Sequence, residues 1–204
     1  MSPKTPTKPP KRCTWTGIAD AEYTRYHDEE WGVPKTDDRD LLEKLILEGF
    51  QSGLSWLTIL RKRDNFRRAF HNFDAQRMAR YGDKDRARLM ADPGIVRNRL
   101  KIDATIDNAR AYLKLRETTT LARFVWGAVG GKPTINRYAS MREVPPETAQ
   151  SRDLSKALKA AGFRFVGPTT VYAFMQASGL VNDHIVDCHR HSACARLQRS
   201  FVLP

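Results

Sequence analysis

Apolar side chains recur along this chain at steps of three, four and seven, the period of helices with one face turned to a core. Thr36 with Asp37 and Asp38 supplies an N-cap oxygen followed by acids that suit a helix N-terminus. Leu41, Leu42, Leu45 and Ile46 then share a face, up to Gly49, which ends or bends the helix. Trp56, Ile59, Leu60, Phe66 and Phe70 predict a second helix, and Asp74 with Met78 the start of a third. The longest amphipathic run carries Ile95, Ile102, Ile106, Ala109 and Leu113. Leu121, Phe124, Val125 and Ala128 predict a short helix stopped by Gly130-Gly131. Ser151 to Ala161 predicts another, closed by Gly162 as a left-handed C-cap. Nothing alternates with period two, so the expected fold is all-α, without internal repeats.

At 204 residues the chain suits one compact domain or two small lobes. Its apolar fraction of 41% is enough for a proper core. No stretch approaches the ~20 apolar residues of a membrane helix, and no apolar run follows the N-terminal lysines as a secretory signal requires. The expectation is a cytoplasmic protein with no membrane partner. The net charge of +12 changes the picture further. Residues 1–12 hold Lys4, Lys8, Lys11, Arg12 and four prolines but no acid, and residues 1–11 read as a disordered basic arm. Beyond residue 12 there remain 31 basic against 23 acidic residues. A polyanion, nucleic acid first, fits that excess; so does a basic, solvated surface. Three cysteines are too few, and odd in number, for a disulfide framework.

Three constellations could carry chemistry. Cys13 and His27 near one end, with His184 and Cys188 near the other, offer the two-Cys, two-His set of a closed structural zinc site. The latter pair would share a face of a helical turn. His189, His191 and Cys194 are further ligand types, and spacing alone does not select four. The second constellation is rich in aromatics and acids: Tyr23, Tyr26, Trp31, then Glu48 and Trp56. Glu48, between Leu47 and Gly49, reads either as a carboxylate facing a pocket or as a surface group at a fraying helix end. Trp56 and Tyr26 read as core or as stacking surface. The third runs from Gly162 to Thr170, where glycines and a following helix N-terminus can expose N–H groups to phosphate. Lys156, Lys159 and Arg164 lie nearby, and an ordinary inter-helix turn is the alternative. The clusters Arg61-Lys62-Arg63 and Arg97 to Lys101 read as solvated faces.

Several long strings carry a resemblance. They are Arg12-Cys13-Thr14-Trp15, Tyr26-His27-Asp28, Glu30-Trp31-Gly32-Val33-Pro34 and Glu48-Gly49-Phe50-Gln51-Ser52-Gly53-Leu54-Ser55-Trp56. Leu154 to Lys159, Gly162 to Gly167 and Phe174 to His184 continue the series. Between residues 12 and 188 the chain resembles the bacterial type I 3-methyladenine DNA glycosylases. The resemblance implies a helix-hairpin-helix fold, with a glycosylase domain of two helical lobes over residues 12–190 and a C-terminal tail over 191–204. It implies one structural Zn2+ on Cys13, His27, His184 and Cys188, joining the two ends of the chain. The base pocket would use Glu48, for recognition and electrostatics or as a base, and Tyr26, with Trp56 as stacking face and Trp15, Tyr23 and Trp31 as aromatic wall. Leu54 would fill the gap left by the extruded nucleotide, while Arg164, Gly167, Thr169 and Lys159 would hold DNA. The implied activity is monofunctional removal of 3-methyladenine from damaged double-stranded DNA by a monomer, with the free base as product. Two rival classes are a zinc-stabilised, non-catalytic DNA-binding module and a bifunctional glycosylase/lyase.

Overall fold

A computed structural model describes residues 10–203; most of the expected N-terminal arm lies outside them. Ten α-helices among the described residues follow in order: α1 (Ala21–Glu29), α2 (Asp38–Gln51), α3 (Trp56–Ala69), α4 (Ala75–Met78), α5 (Asp83–Ala91), α6 (Arg99–Leu115), α7 (Leu121–Gly127), α8 (Ala149–Ala160), α9 (Pro168–Ala177) and α10 (His189–Arg199). The fold is mostly helical rather than all-α. Two-residue strands β1 (Thr134–Ile135) and β2 (Val181–Asn182) pair in parallel, with Thr134 opposite Val181. Strands that short leave no alternation to read. None of the described helices is long and apolar enough to cross a membrane.

The core is built around α2. Leu41, Leu42, Leu45, Ile46, Leu47 and Phe50 are all buried, so this helix is covered nearly all round. Its start is capped by Asp37, which accepts from the Asp40 N–H at 2.9 Å. Gly49 does not end it, because the helix runs on to Gln51. The next residue, Asp38, accepts from the N–H groups of Leu121 and Ala122 at 3.2 and 2.9 Å, and so caps α7 from a distance. Ile95 is buried but precedes α6. Gly162 follows α8 at φ +94°, as expected of a left-handed cap.

Residues 191–204, expected as a tail, begin inside α10. That helix buries Cys194, Ala195 and Gln198, and Phe201 stacks on Trp126 with centroids 4.0 Å apart. Gln198 Nε2 donates to the carbonyls of Gly32 and Gly179 at 3.2 and 3.1 Å, joining α10 to both neighbouring turns. The turn at Gly179 packs directly against the backbone of Val33 and Pro34. At φ +73°, a Cβ there would lie 2.4 Å from Val33 C and Pro34 N. Gly179→Ala should therefore destabilise the protein by about 3 kcal/mol, lowering Tm by roughly 6–12 °C. Gly82→Ala faces open space and should leave Tm within about 2 °C. Equal melting temperatures for the two variants would refute the close approach.

Candidate functional site

The site begins with α1. Asp20 caps it, accepting from the N–H groups of Glu22 and Tyr23 at 3.0 and 3.1 Å. Tyr23, Tyr26 and His27 are spaced three and four apart and share its inner side. Its last turn is tied to α3, because Arg63 donates to both carboxylate oxygens of Glu30 at 2.6 and 2.9 Å. The Arg61–Arg63 cluster is thus not wholly solvated. Neither is the Arg97–Lys101 cluster: Lys101 Nζ donates to the carbonyls of Phe50 and Ser52 at 2.8 and 2.6 Å and closes the end of α2.

Between α1, α2, α3 and α9 lies a cavity of about 170 Å³ bordered by Trp15, Tyr26, Trp31, Glu48, Trp56 and Gln176. Five residues read from the sequence for the base pocket therefore meet in one place. Tyr23 backs the wall instead, its ring 5.0 Å from that of Trp15. Trp15 meets Trp31 edge-on at 4.7 Å, and Tyr26 lies 5.4 Å from Trp56. A larger hollow of about 320 Å³, beside Phe73, Tyr112 and Arg116, holds none of the site residues expected from the sequence.

Glu48 is 4% exposed and so no surface group at a fraying end. Burial pushes its carboxyl up to about 7, against the opposing pull of Lys44. Burial, reinforced by Glu48, raises the Tyr26 hydroxyl well above its ordinary value and keeps it a donor. Trp56 Nε1 is buried with no acceptor among the described residues. The pocket thus offers an acceptor, donors and flat apolar faces.

Three border or flanking groups escaped the sequence reading. Gln176 Nε2 donates to Asp183 at 2.7 Å, and Asp183 also accepts from Tyr172 and Asn136 at 2.6 and 2.7 Å. Gln51 borders the cavity and its Nε2 donates to the Leu54 carbonyl at 2.7 Å, fixing the turn that carries the 39%-exposed Leu54. Lys44 sits over the rings of Tyr26 and Trp56 at 4.8 and 5.0 Å. Its place four residues before Glu48 was the available signal.

Behind the aromatic wall, Cys13, His27, His184 and Cys188 place one ligand atom each within 4.8 Å of one another, all four buried. His184 and Cys188 lie on a turn, with Cys188 as N-cap of α10, not on a helix. His27 Nδ1 donates to Asp28 at 2.7 Å and His184 Nε2 to the Trp31 carbonyl at 3.0 Å. The second nitrogen of each ring is thereby left toward the sulfurs, as in metal-binding histidines. Burial works against the Asp28 carboxylate, yet hydrogen bonds from Arg12, His27 and His189 hold it well below the usual range. Two soft sulfurs and two oriented imidazoles fit a metal ion of the zinc type. The alternative ligands are engaged elsewhere. His191 Nε2 meets the Asn136 carbonyl at 2.9 Å, His189 Nε2 meets Asp28 at 2.9 Å, and Cys194 faces Arg190.

Apart from Leu54, the residues expected from the sequence to hold DNA lie on or beside the α8–α9 turn. Gly167 is the N-cap of α9, Pro168 its first residue and Thr169 its second. Arg164 donates to Asp107 at 2.6 Å, and Lys159 is on the last turn of α8. This turn abuts α2 one residue from Glu48, since a Cβ on Gly49 would lie 3.2 Å from that of Phe165.

Comparison with known proteins bears on what this arrangement is. Residues 15–191 match the methyladenine glycosylase family model. DNA-3-methyladenine glycosylase 1 of Escherichia coli strain K12 is 49% identical over 179 residues, covering 87% of this chain and 95% of that protein. A crystal structure of 3-methyladenine DNA glycosylase I superposes with a TM-score of 0.86 at 50% identity, covering 88% of this chain and 98% of the other. A tyrosine-to-phenylalanine variant of such an enzyme, in complex with 3-methyladenine, superposes with a TM-score of 0.82 at 38% identity over 85% and 94% of the two chains. With nearly all its length matched at this identity, the chain belongs to the methyladenine glycosylase family.

Proposed function

We infer that this protein is a monofunctional DNA glycosylase that hydrolyses the N-glycosidic bond of 3-methyladenine in alkylated DNA. The observation that carries the reading is the buried Glu48 carboxylate at an aromatic cavity, on a chain whose relatives bear that activity's name. An adenine methylated at N3 is cationic, so its glycosidic bond is already weak. Extruding the nucleotide costs a few kcal/mol, returned by stacking and by edge hydrogen bonds in the pocket. Trp56 and Tyr26 supply ring faces, and Glu48 accepts from the N–H edge of the base. The leaving group departs neutral without strong acid catalysis while water attacks the sugar. Glu48 therefore serves recognition and electrostatics first.

Outside the pocket, Leu54 fills the gap left by the extruded nucleotide. The fold reads as helix-hairpin-helix, with the N–H groups at Gly167 and Thr169 receiving phosphates. Lys159 adds charge there, and Arg164 adds less because it is paired with Asp107. Zinc on Cys13, His27, His184 and Cys188 would act as a structural crosslink and take no part in bond cleavage. The lyase alternative needs an amine nucleophile, and Lys44, the buried lysine nearest the pocket, does not border the cavity.

Two measurements follow from this reading. Incubation with DNA treated with a methylating agent should release free 3-methyladenine, identified by chromatography, and leave the strand uncut. No released base would leave only the non-catalytic DNA-binding module, and a borohydride-trapped adduct would indicate the lyase. Metal analysis of freshly purified protein should find one zinc per chain, lost with a large fall in Tm in Cys188→Ala and kept in Cys194→Ala. Zinc-free protein, or Cys188→Ala with full zinc, would remove the assigned ligand set.

A further inference from the structure

Lys44 stands four residues before Glu48 on α2, and this spacing sets the two side chains on one face. It is 4% exposed, on a helix whose Leu41, Leu45, Leu47 and Phe50 are also buried. A buried ammonium in apolar surroundings is costly unless opposite charge compensates it. Among the described residues no carboxylate reaches ion-pair distance of its Nζ. It rests instead over two rings, 4.8 Å from the centroid of Tyr26 and 5.0 Å from that of Trp56. These are the rings that, with Glu48, border the cavity.

The charges around it leave one partner. At the C-cap of α1, Glu30 is held in a two-armed ion pair by Arg63 of α3, and these opposite charges largely cancel. Lys35, in the link between α1 and α2, adds a further positive charge. From α9, Ala173 and Gln176 border the same cavity and carry none. Glu48 remains, and it too has no ion pair or hydrogen bond among the described residues. The other ionisable groups facing Glu48 are the hydroxyls of Tyr23 and Tyr26, both kept neutral by burial.

We propose that Lys44 is a positioning residue for base recognition, the through-space counter-ion that holds much of Glu48 in its charged form at neutral pH. The proposal rests on the reading of Glu48 as the group that accepts from the base. Burial and mutual attraction oppose each other in both groups: the carboxyl is pushed up to about 7 and the ammonium down to about 8. Without the ammonium, the carboxyl titrates higher still and is largely neutral at pH 7. The placement has a second consequence. The ring faces already carry a cation, so attraction for a cationic base depends on Glu48 more than on the rings.

The test is the affinity for free 3-methyladenine between pH 6 and 9, in the wild type, Lys44→Met, Glu48→Gln and the double variant. Titration of the ligand itself is common to all four and cancels in their ratios. Lys44→Met should bind about five- to tenfold more weakly than the wild type at pH 7, as for a rise of one pH unit or slightly more in the carboxyl midpoint. The gap should close by pH 9, where Lys44 has lost its proton in the wild type and Glu48 is charged in both. In the Glu48→Gln background, Lys44→Met should have no such pH-dependent effect. A loss independent of pH would make Lys44 a packing residue and overturn the proposal, as would superimposable profiles. If Glu48→Gln binds as tightly as the wild type, the reading of Glu48 itself fails, which the comparison without any Lys44 variant reveals. A reciprocal measurement covers a Lys44→Met protein that does not fold. The NMR titration midpoint of Lys44 should be lower in Glu48→Gln than in the wild type, and an unchanged midpoint would equally overturn the proposal.

Discussion

The two ends of the chain are held together at one buried point, and the pocket depends on it. Cys13 and His27 come from the start of the described chain, His184 and Cys188 from near its end, and their ligand atoms converge within 4.8 Å. Around them lies a small cluster of Tyr26, Trp31, Leu60, Ala177 and Ile185, distinct from the main core built on α2. The aromatic wall stands on that point directly: Trp15 lies 4.9 Å from the His27 ring and Trp31 4.6 Å from the His184 ring. Trp56 packs against both clusters. The cavity is the seam between them, so loosening the junction would open one side of the pocket while leaving α2 in place.

Charge is then confined to that seam. A carboxylate buried beside aromatic faces loses hydration, and little there screens it, so its interaction with a cationic guest is strengthened. The same loss of hydration raises its affinity for a proton. A pocket of this kind works only if the second effect is held in check, and Lys44 is the group in place to do so. Specificity in such a site comes from unmet hydrogen-bonding capacity: among the described residues Glu48 has no donor and the buried Trp56 N–H no acceptor.

Much of this was legible in the sequence, for identifiable reasons. α2, α3, α6 and α8 carry strong apolar periodicity with Asp37, Ser55, Asn98 and Thr148 as caps, and their cores follow from the pattern. α1, α5 and α10 were not legible, because their buried faces are made of Tyr and His, of Leu89 alone, or of His, Cys and Gln. Glu48 could be singled out by its apolar neighbours, whereas its depth needed the surrounding helices. Lys44 was passed over because a lysine in a helix is ordinarily solvated. Arg63 and Lys101 were misread for that reason too, and both bury their charge against Glu30 and the end of α2. Long-range closure at Gly179 has no local signal at all.

The central claim is that the charge on Glu48 reads the base. It is tested most directly by the affinity of Glu48→Gln for free 3-methyladenine, measured beside its melting temperature and metal content. Loss of a charge-assisted hydrogen bond in a buried site should weaken binding roughly 10- to 150-fold, with metal content and binding to undamaged DNA unchanged. A folded Glu48→Gln protein that binds 3-methyladenine as the wild type does would contradict the account.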